Sequence, residues 1–123
     1  MCGIAGFLGP WPEQLIEAMV ASLRHRGPDG NGHIVDAEAG VALGHARLSI
    51  IDLSDAAAQP MASSDGRYTL TFNGEIYNYR TLRQSLETSG VVFKTSSDTE
   101  VLLHLYRREG PDCLNRLHGI FAF

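Results

Sequence analysis

Three observations predict an α+β fold. Apolar residues recur at helical spacing in some stretches and at every second position in others, and the two kinds are interspersed along the chain. Clusters of Gly and Pro punctuate them. The 123 residues, 44% hydrophobic and 20% charged, suit one domain with one core, and no repeat, low-complexity tract or internal linker divides them.

In chain order, residues 3 to 8 read as a first strand, closed by Gly9-Pro10-Trp11-Pro12. Leu15, Ile16, Met19, Val20 and Leu23 then recur as the face of a helix over about 12 to 25. The run Arg26-Gly27-Pro28-Asp29-Gly30-Asn31-Gly32 suits a loop with close backbone approach. His33 to Val35 and Val41 to Leu48 read as a hairpin, and 54 to 66 as irregular. Tyr68, Leu70 and Phe72 alternate with polar residues as in a strand, which Gly74 ends. A helix from Asn78 to Thr88 carries Tyr79, Leu82 and Leu86 on one side, and Gly90 stops it before a short strand Val91-Val92-Phe93. A third helix starts near Asp98, with Ser97 or Asp98 as its cap, and runs to Gly110-Pro111. A helical turn from Asp112 to Leu117 and a strand from Gly119 to Phe123 follow.

A net charge of -4 and a pI near 5.6 give no electrostatic footprint for nucleic acid or an anionic membrane. No apolar stretch approaches the roughly 20 residues of a membrane span, and the first residues lack the basic lead-in of a signal peptide. The expectation is a cytoplasmic protein. Cys2 and Cys113 suit reduced thiols and form no metal-ligand spacing, so no metal is expected. The five His residues, at 25, 33, 45, 104 and 118, read as structural or solvent-facing.

The chemistry starts at Met1-Cys2-Gly3. Removal of the initiator Met makes Cys2 the N-terminal residue, with a free α-amine on the nucleophile itself. That amine has an ordinary pKa of roughly 7.7 to 8.0, so near neutral pH it can take a proton from the thiol. Read alone, Cys2 better suits a small buried cysteine of a first strand, and it is the residues further along the chain that favour the nucleophile. Thiolate attack on a carboxamide also needs oxyanion donors and groups that hold the substrate. Asn73-Gly74 offers a side-chain NH2 and a backbone N–H, or else a turn dipeptide. Arg47 offers a fork of donors for a carboxylate, or else a salt bridge to Asp52 or Asp55. Glu75 and Asp98 offer charge for an ammonium, and Asp98 also reads as a helix-start residue.

Six segments taken in order resemble the N-terminal glutaminase domain of glutamine-hydrolysing asparagine synthetases, class II glutamine amidotransferases of the N-terminal-nucleophile hydrolase superfamily. They are Cys2-Gly3-Ile4-Ala5-Gly6, Arg24-His25-Arg26-Gly27-Pro28-Asp29-Gly30, Gly44-His45-Ala46-Arg47-Leu48-Ser49-Ile50-Ile51-Asp52, Asn73-Gly74-Glu75-Ile76-Tyr77-Asn78-Tyr79, Ser97-Asp98-Thr99-Glu100-Val101 and Leu117-His118-Gly119-Ile120-Phe121-Ala122-Phe123. The resemblance implies a four-layer αββα sandwich. It implies that Cys2 attacks the glutamine carboxamide to give a γ-glutamyl thioester and ammonia, with Asn73 and Gly74 as the oxyanion hole. It implies Arg47 at the α-carboxylate, Glu75 and Asp98 at the α-amino end, and backbone contacts from Ile50 and Ile51.

The resembling domain is longer than 123 residues and precedes a synthetase domain with an ATP-binding Ser-Gly-Gly motif, which this sequence lacks. The expectation is therefore a glutaminase domain over 1-123, incomplete at its C-terminus, with a sheet edge and apolar face uncovered and self-association open to it. It is expected to need no cofactor of its own, ATP and Mg belonging to the synthetase domain that receives the ammonia. The alternatives are an inactive glutaminase-like fragment serving as a docking or regulatory module, and a soluble interaction domain whose Cys2 is incidental.

Overall fold

Strand β1 (Gly3–Leu8), helix α1 (Glu13–Ser22) and strands β2 (Gly30–Asp36) and β3 (Val41–Arg47) make up the first half of the chain in a computed structural model that describes residues 1–123. The three strands form one antiparallel sheet in the order β1-β3-β2, with Gly3 opposite Ala46 and Gly30 opposite Arg47. The side-chain period of two gives the central β3 two different faces. Ala42, Gly44 and Ala46 face α1, where only small residues fit. A Cβ on Gly44 would lie 2.4 Å from Val20 Cγ2, and Ile16, Val20 and Ala42 form a small buried core. Leu43, His45 and Arg47 face the other way, into the rest of the molecule.

The second half runs through a 3-10 turn (Asp55–Ala57), β4 (Met61–Ala62), β5 (Thr69–Leu70), β6 (Asn73–Ile76), α2 (Tyr79–Thr88), α3 (Asp98–Glu109), a 3-10 helix (Gly110–Arg116) and β7 (Gly119–Ala122). β4 pairs with β5 and β6 with β7, both antiparallel. The larger core packs Phe72 and Ile76 against Leu82 and Leu86 of α2, Leu102 and Leu105 of α3, and Cys113 and Leu117 beyond it. The layers thus run α1, three-stranded sheet, short strands with β7, then α2 and α3. That is the αββα order that the resemblance implies. No helix is long and apolar enough to cross a membrane.

Four expectations about elements need correction, and the choice of cap for α3 is resolved. The strand through Tyr68, Leu70 and Phe72 breaks after Leu70, because the Phe72 backbone pairs with the Gln59 and His45 side chains instead of a ladder while the Thr71 hydroxyl donates to Gly44 O, and Gly74 lies inside β6. Val91-Val92-Phe93 is no strand: Val91 N–H closes the end of α2 on Leu86 O at 3.1 Å, and Val92 is exposed. The loop ends early, since β2 already pairs from Gly30. The 54 to 66 stretch holds the first 3-10 turn and β4. Ser97, not Asp98, caps α3, its hydroxyl accepting from Glu100 N.

Candidate functional site

Pairing of Gly3 with Ala46 sets Cys2 beside the end of β3. There the half-buried Sγ lies 3.3 Å from Leu48 N, whose N–H donates to it, and 3.5 Å from Leu48 O. Arg47, one residue earlier, aims its guanidinium over the loop of residues 48 to 54. Its Nη2 donates to the carbonyl oxygens of Asp52 (2.7 Å) and Ser54 (2.9 Å). These are neutral acceptors, so the salt bridge to Asp52 or Asp55 does not form, and the cation keeps its charge for a bound anion.

That loop is pinned at both ends. Asp29 takes the Ser49 N–H at 2.8 Å, while its own N–H donates to Arg47 O at 3.0 Å. The turn behind it passes so close to β3 that a Cβ on Gly27 would lie 2.3 Å from the Ala46 carbonyl. Asp52 accepts from Ser54 through N–H and hydroxyl, and from Ser96 through N–H and hydroxyl. These bonds, the Ser54 hydroxyl foremost, hold its carboxyl well below the usual carboxylate range.

The opposite wall comes from β6 and the start of α3. Asp98 is 5% exposed, and its Oδ2 accepts from Ile76 N at 3.1 Å. Burial pushes this carboxyl up, the negative charge of Glu75 adds to the rise, and the backbone N–H bonds oppose it. Ahead of it, Glu100 folds back on Lys94 and Thr95. Burial works against the charge there, but those bonds prevail and hold its carboxyl below the ordinary value. Gly74 sits where β7 leaves no room: a Cβ would lie 2.4 Å from Ile120 O. Asn73, beside it, has Oδ1 buried without a partner.

One cleft between the two walls is lined by Cys2, Arg47, Ile50, Ile51, Gly74, Glu75 and Asp98. Seven of the eight sequence-derived site residues therefore converge from four separate parts of the chain. The eighth, Asn73, adjoins Gly74 but is not among the lining residues. His45, Asp52, Gln59 and Ser97 also line the cleft and were not singled out as site residues from the sequence. His45 is 1% exposed, so its expected structural role is the correct half of that reading. Its burial foremost lowers the imidazole to about 4, which keeps it neutral. The alternating pattern of β3 carried the signal for it, since His45 shares a face with Arg47.

A cysteine at the head of the first strand, opening into a cleft between two helix-covered β layers, is the arrangement of the N-terminal-nucleophile class. The chain belongs to the glutamine amidotransferase domain family, whose model matches residues 1–123. It is 44% identical over 130 residues to asparagine synthetase [glutamine-hydrolyzing] 1 of Bacillus subtilis, covering 100% of this chain and 20% of that protein. It is 48% identical over 101 residues to a probable asparagine synthetase of Schizosaccharomyces pombe, covering 82% of this chain and 17% of that one. Among solved structures, the glutamine phosphoribosylpyrophosphate amidotransferase of B. subtilis superposes with a TM-score of 0.81 at 27% identity, over 99% of this chain and 34% of that one. The chain spans about a fifth of the length of the curated relatives it matches.

Proposed function

We propose that this chain hydrolyses L-glutamine to glutamate and ammonia through a thioester on Cys2. The observation that carries the reading is the convergence of Cys2, Arg47, Gly74, Glu75 and Asp98 on one cleft. Arg47, unpaired with any carboxylate, takes the α-carboxylate of glutamine. Glu75 and Asp98 take the α-ammonium, and Ile50 and Ile51, which line the same cleft, offer it backbone contacts.

With Met1 removed, the α-amine of Cys2 accepts the thiol proton and Sγ attacks the amide carbon. The negative oxygen of the tetrahedral adduct is met by the Asn73 amide NH2 and the Gly74 N–H. Collapse of the adduct breaks the C–N bond, and the α-ammonium returns the proton to the departing nitrogen as ammonia leaves. Water then attacks the thioester, gives its proton to the same amine and releases glutamate, restoring the thiol. One residue thus serves as nucleophile and proton carrier throughout.

The relatives' names describe glutamine-hydrolysing asparagine synthetases, which supports an ATP-dependent synthetase domain as the consumer of the ammonia, with aspartate or a related carboxylate as acceptor. In that reading residues 1–123 are the glutaminase half, and the inactive docking module is the alternative that the experiment tests.

The test is intact mass of the purified chain before and after treatment with diazo-oxo-norleucine, with Cys2→Ala as control, beside an assay of glutamate release. Loss of Met1, one adduct confined to Cys2 and glutamate production are expected. A processed chain with no adduct and no glutamate would overturn the reading.

A further inference from the structure

The segment that carries Asn73 and Gly74 is held by side chains where a strand ladder should be. β5 ends at Leu70 and β6 starts at Asn73, leaving Thr71 and Phe72 outside both. Buried backbone groups must nonetheless be paired. The Phe72 N–H donates to Gln59 Oε1 at 2.6 Å, and the Phe72 carbonyl lies 3.2 Å from His45 Nε2. The Thr71 hydroxyl adds a bond to Gly44 O at 3.2 Å. A carbonyl only accepts, so His45 must carry its proton on Nε2, and its buried Nδ1 has no partner. Both clamping side chains are themselves fixed. His45 stands on the middle strand of the three-stranded sheet, and Gln59 Nε2 donates to Thr99 Oγ1, 3.2 Å away, in the first turn of α3.

We propose that His45 and Gln59 are positioning residues for glutamine hydrolysis: by gripping the two polar groups of Phe72 from β3 and from the Gln59 segment, they set the Phe72–Asn73 peptide and hence the direction of the oxyanion donors Asn73 and Gly74. The inference rests on the glutamine reading above and adds to it. The Phe72 carbonyl belongs to the peptide that delivers the Asn73 nitrogen, so a tilt of that peptide swings the Asn73 side chain and the next N–H together. Such donors act on charge that exists only in the tetrahedral adduct. Loss of the clamp therefore has to appear in the chemical step and not in glutamine binding. A mere loss of packing at His45 would move both.

The test uses the full chain with His45→Leu, Gln59→Leu and His45→Gln, each checked for a cooperative melt. Gln can place an amide N–H at the same carbonyl, so it is the rescue variant. The Leu variants are expected to lose roughly 10- to 100-fold in kcat, with KM for glutamine changed less than about twofold. Glutamine affinity measured in a Cys2→Ala background should be unmoved. Affinity for the γ-aldehyde analogue of glutamine, which forms a tetrahedral adduct with Cys2, should fall by the same factor as kcat. His45→Gln should recover most of the loss. A folded Leu variant with wild-type kcat, or equal losses in KM and kcat, overturns the proposal while leaving the glutamine reading intact. A wild-type chain without turnover overturns both. If His45→Leu does not fold, Gln59→Leu and His45→Gln decide by the same criteria.

Discussion

Asp52 and Ser96, 44 residues apart, are joined by two hydrogen bonds, from the Ser96 N–H at 2.7 Å and its hydroxyl at 3.0 Å to Asp52 Oδ2. The pair ties the loop that carries Ile50 and Ile51 to the approach to α3 that carries Asp98, so it spans the two walls of the cleft. Asp52→Asn keeps the shape but puts an NH2 where an acceptor stood, or else leaves Ser54 unserved. The expected outcome is a rise in KM for glutamine of about fivefold, the worth of about 1 kcal/mol, with faster hydrogen exchange at Ser96. Because the folded-state carboxyl is held below its ordinary value, the tie is fully present above about pH 4 and weakens only as acid protonates it.

His45 gives stability a slope in the opposite environment, that of a buried base. Its pKa is lowered from 6.5 to about 4 on folding, so between those values the unfolded chain binds a proton that the folded chain does not. Stability therefore rises with pH across this window and is flat above it. Comparing wild type with His45→Gln at about pH 4.5 and about pH 7 should show an extra acid loss in wild type on the order of 2 to 3 kcal/mol. Equal pH slopes in denaturant melts would refute it.

Gly74→Ala places its methyl 2.4 Å from Ile120 O and 2.5 Å from Phe121 Cα, backbone atoms that cannot move aside alone. Separation of β6 from β7 is expected, at about 1 to 3 kcal/mol, read as a lower denaturation midpoint together with loss of activity.

Arg47→Lys keeps the charge but loses the planar guanidinium, whose Nη2 holds Asp52 O and Ser54 O while Arg47 lines the cleft. A charge-assisted contact of this kind is worth about 2 kcal/mol. KM should rise roughly 30-fold with a smaller change in kcat, and steady-state kinetics with a melt as control would show it.

Reading along the chain located the helices and most strands because their signals are local. Leu82 and Leu86 at helical spacing, Gly90 as a stop, and Ser97 ahead of Asp98 all act within a turn or two of themselves. The same locality misled at Val91-Val92-Phe93, whose β-branched residues found no neighbouring strand, and at Gly74, whose turn preference yielded to pairing with Phe121. Arg47 was legible as a cation on an apolar strand, but its freedom from any carboxylate was not, since its partners are backbone carbonyls five and seven residues on.

The residue types themselves determined which atoms are available to react: a thiol at position 2, an amide at Asn73, a guanidinium at Arg47, and carboxylates at Glu75 and Asp98. Tertiary structure alone decided that these face one cleft, that Asp98 is buried against Ile76 N–H, and that the unladdered Phe72 is held between His45 and Gln59. The reason is range. Propensity and capping act over a few residues, whereas desolvation and the pairing of buried polar groups depend on what other parts of the chain bring within about 3 Å, and no local pattern records that.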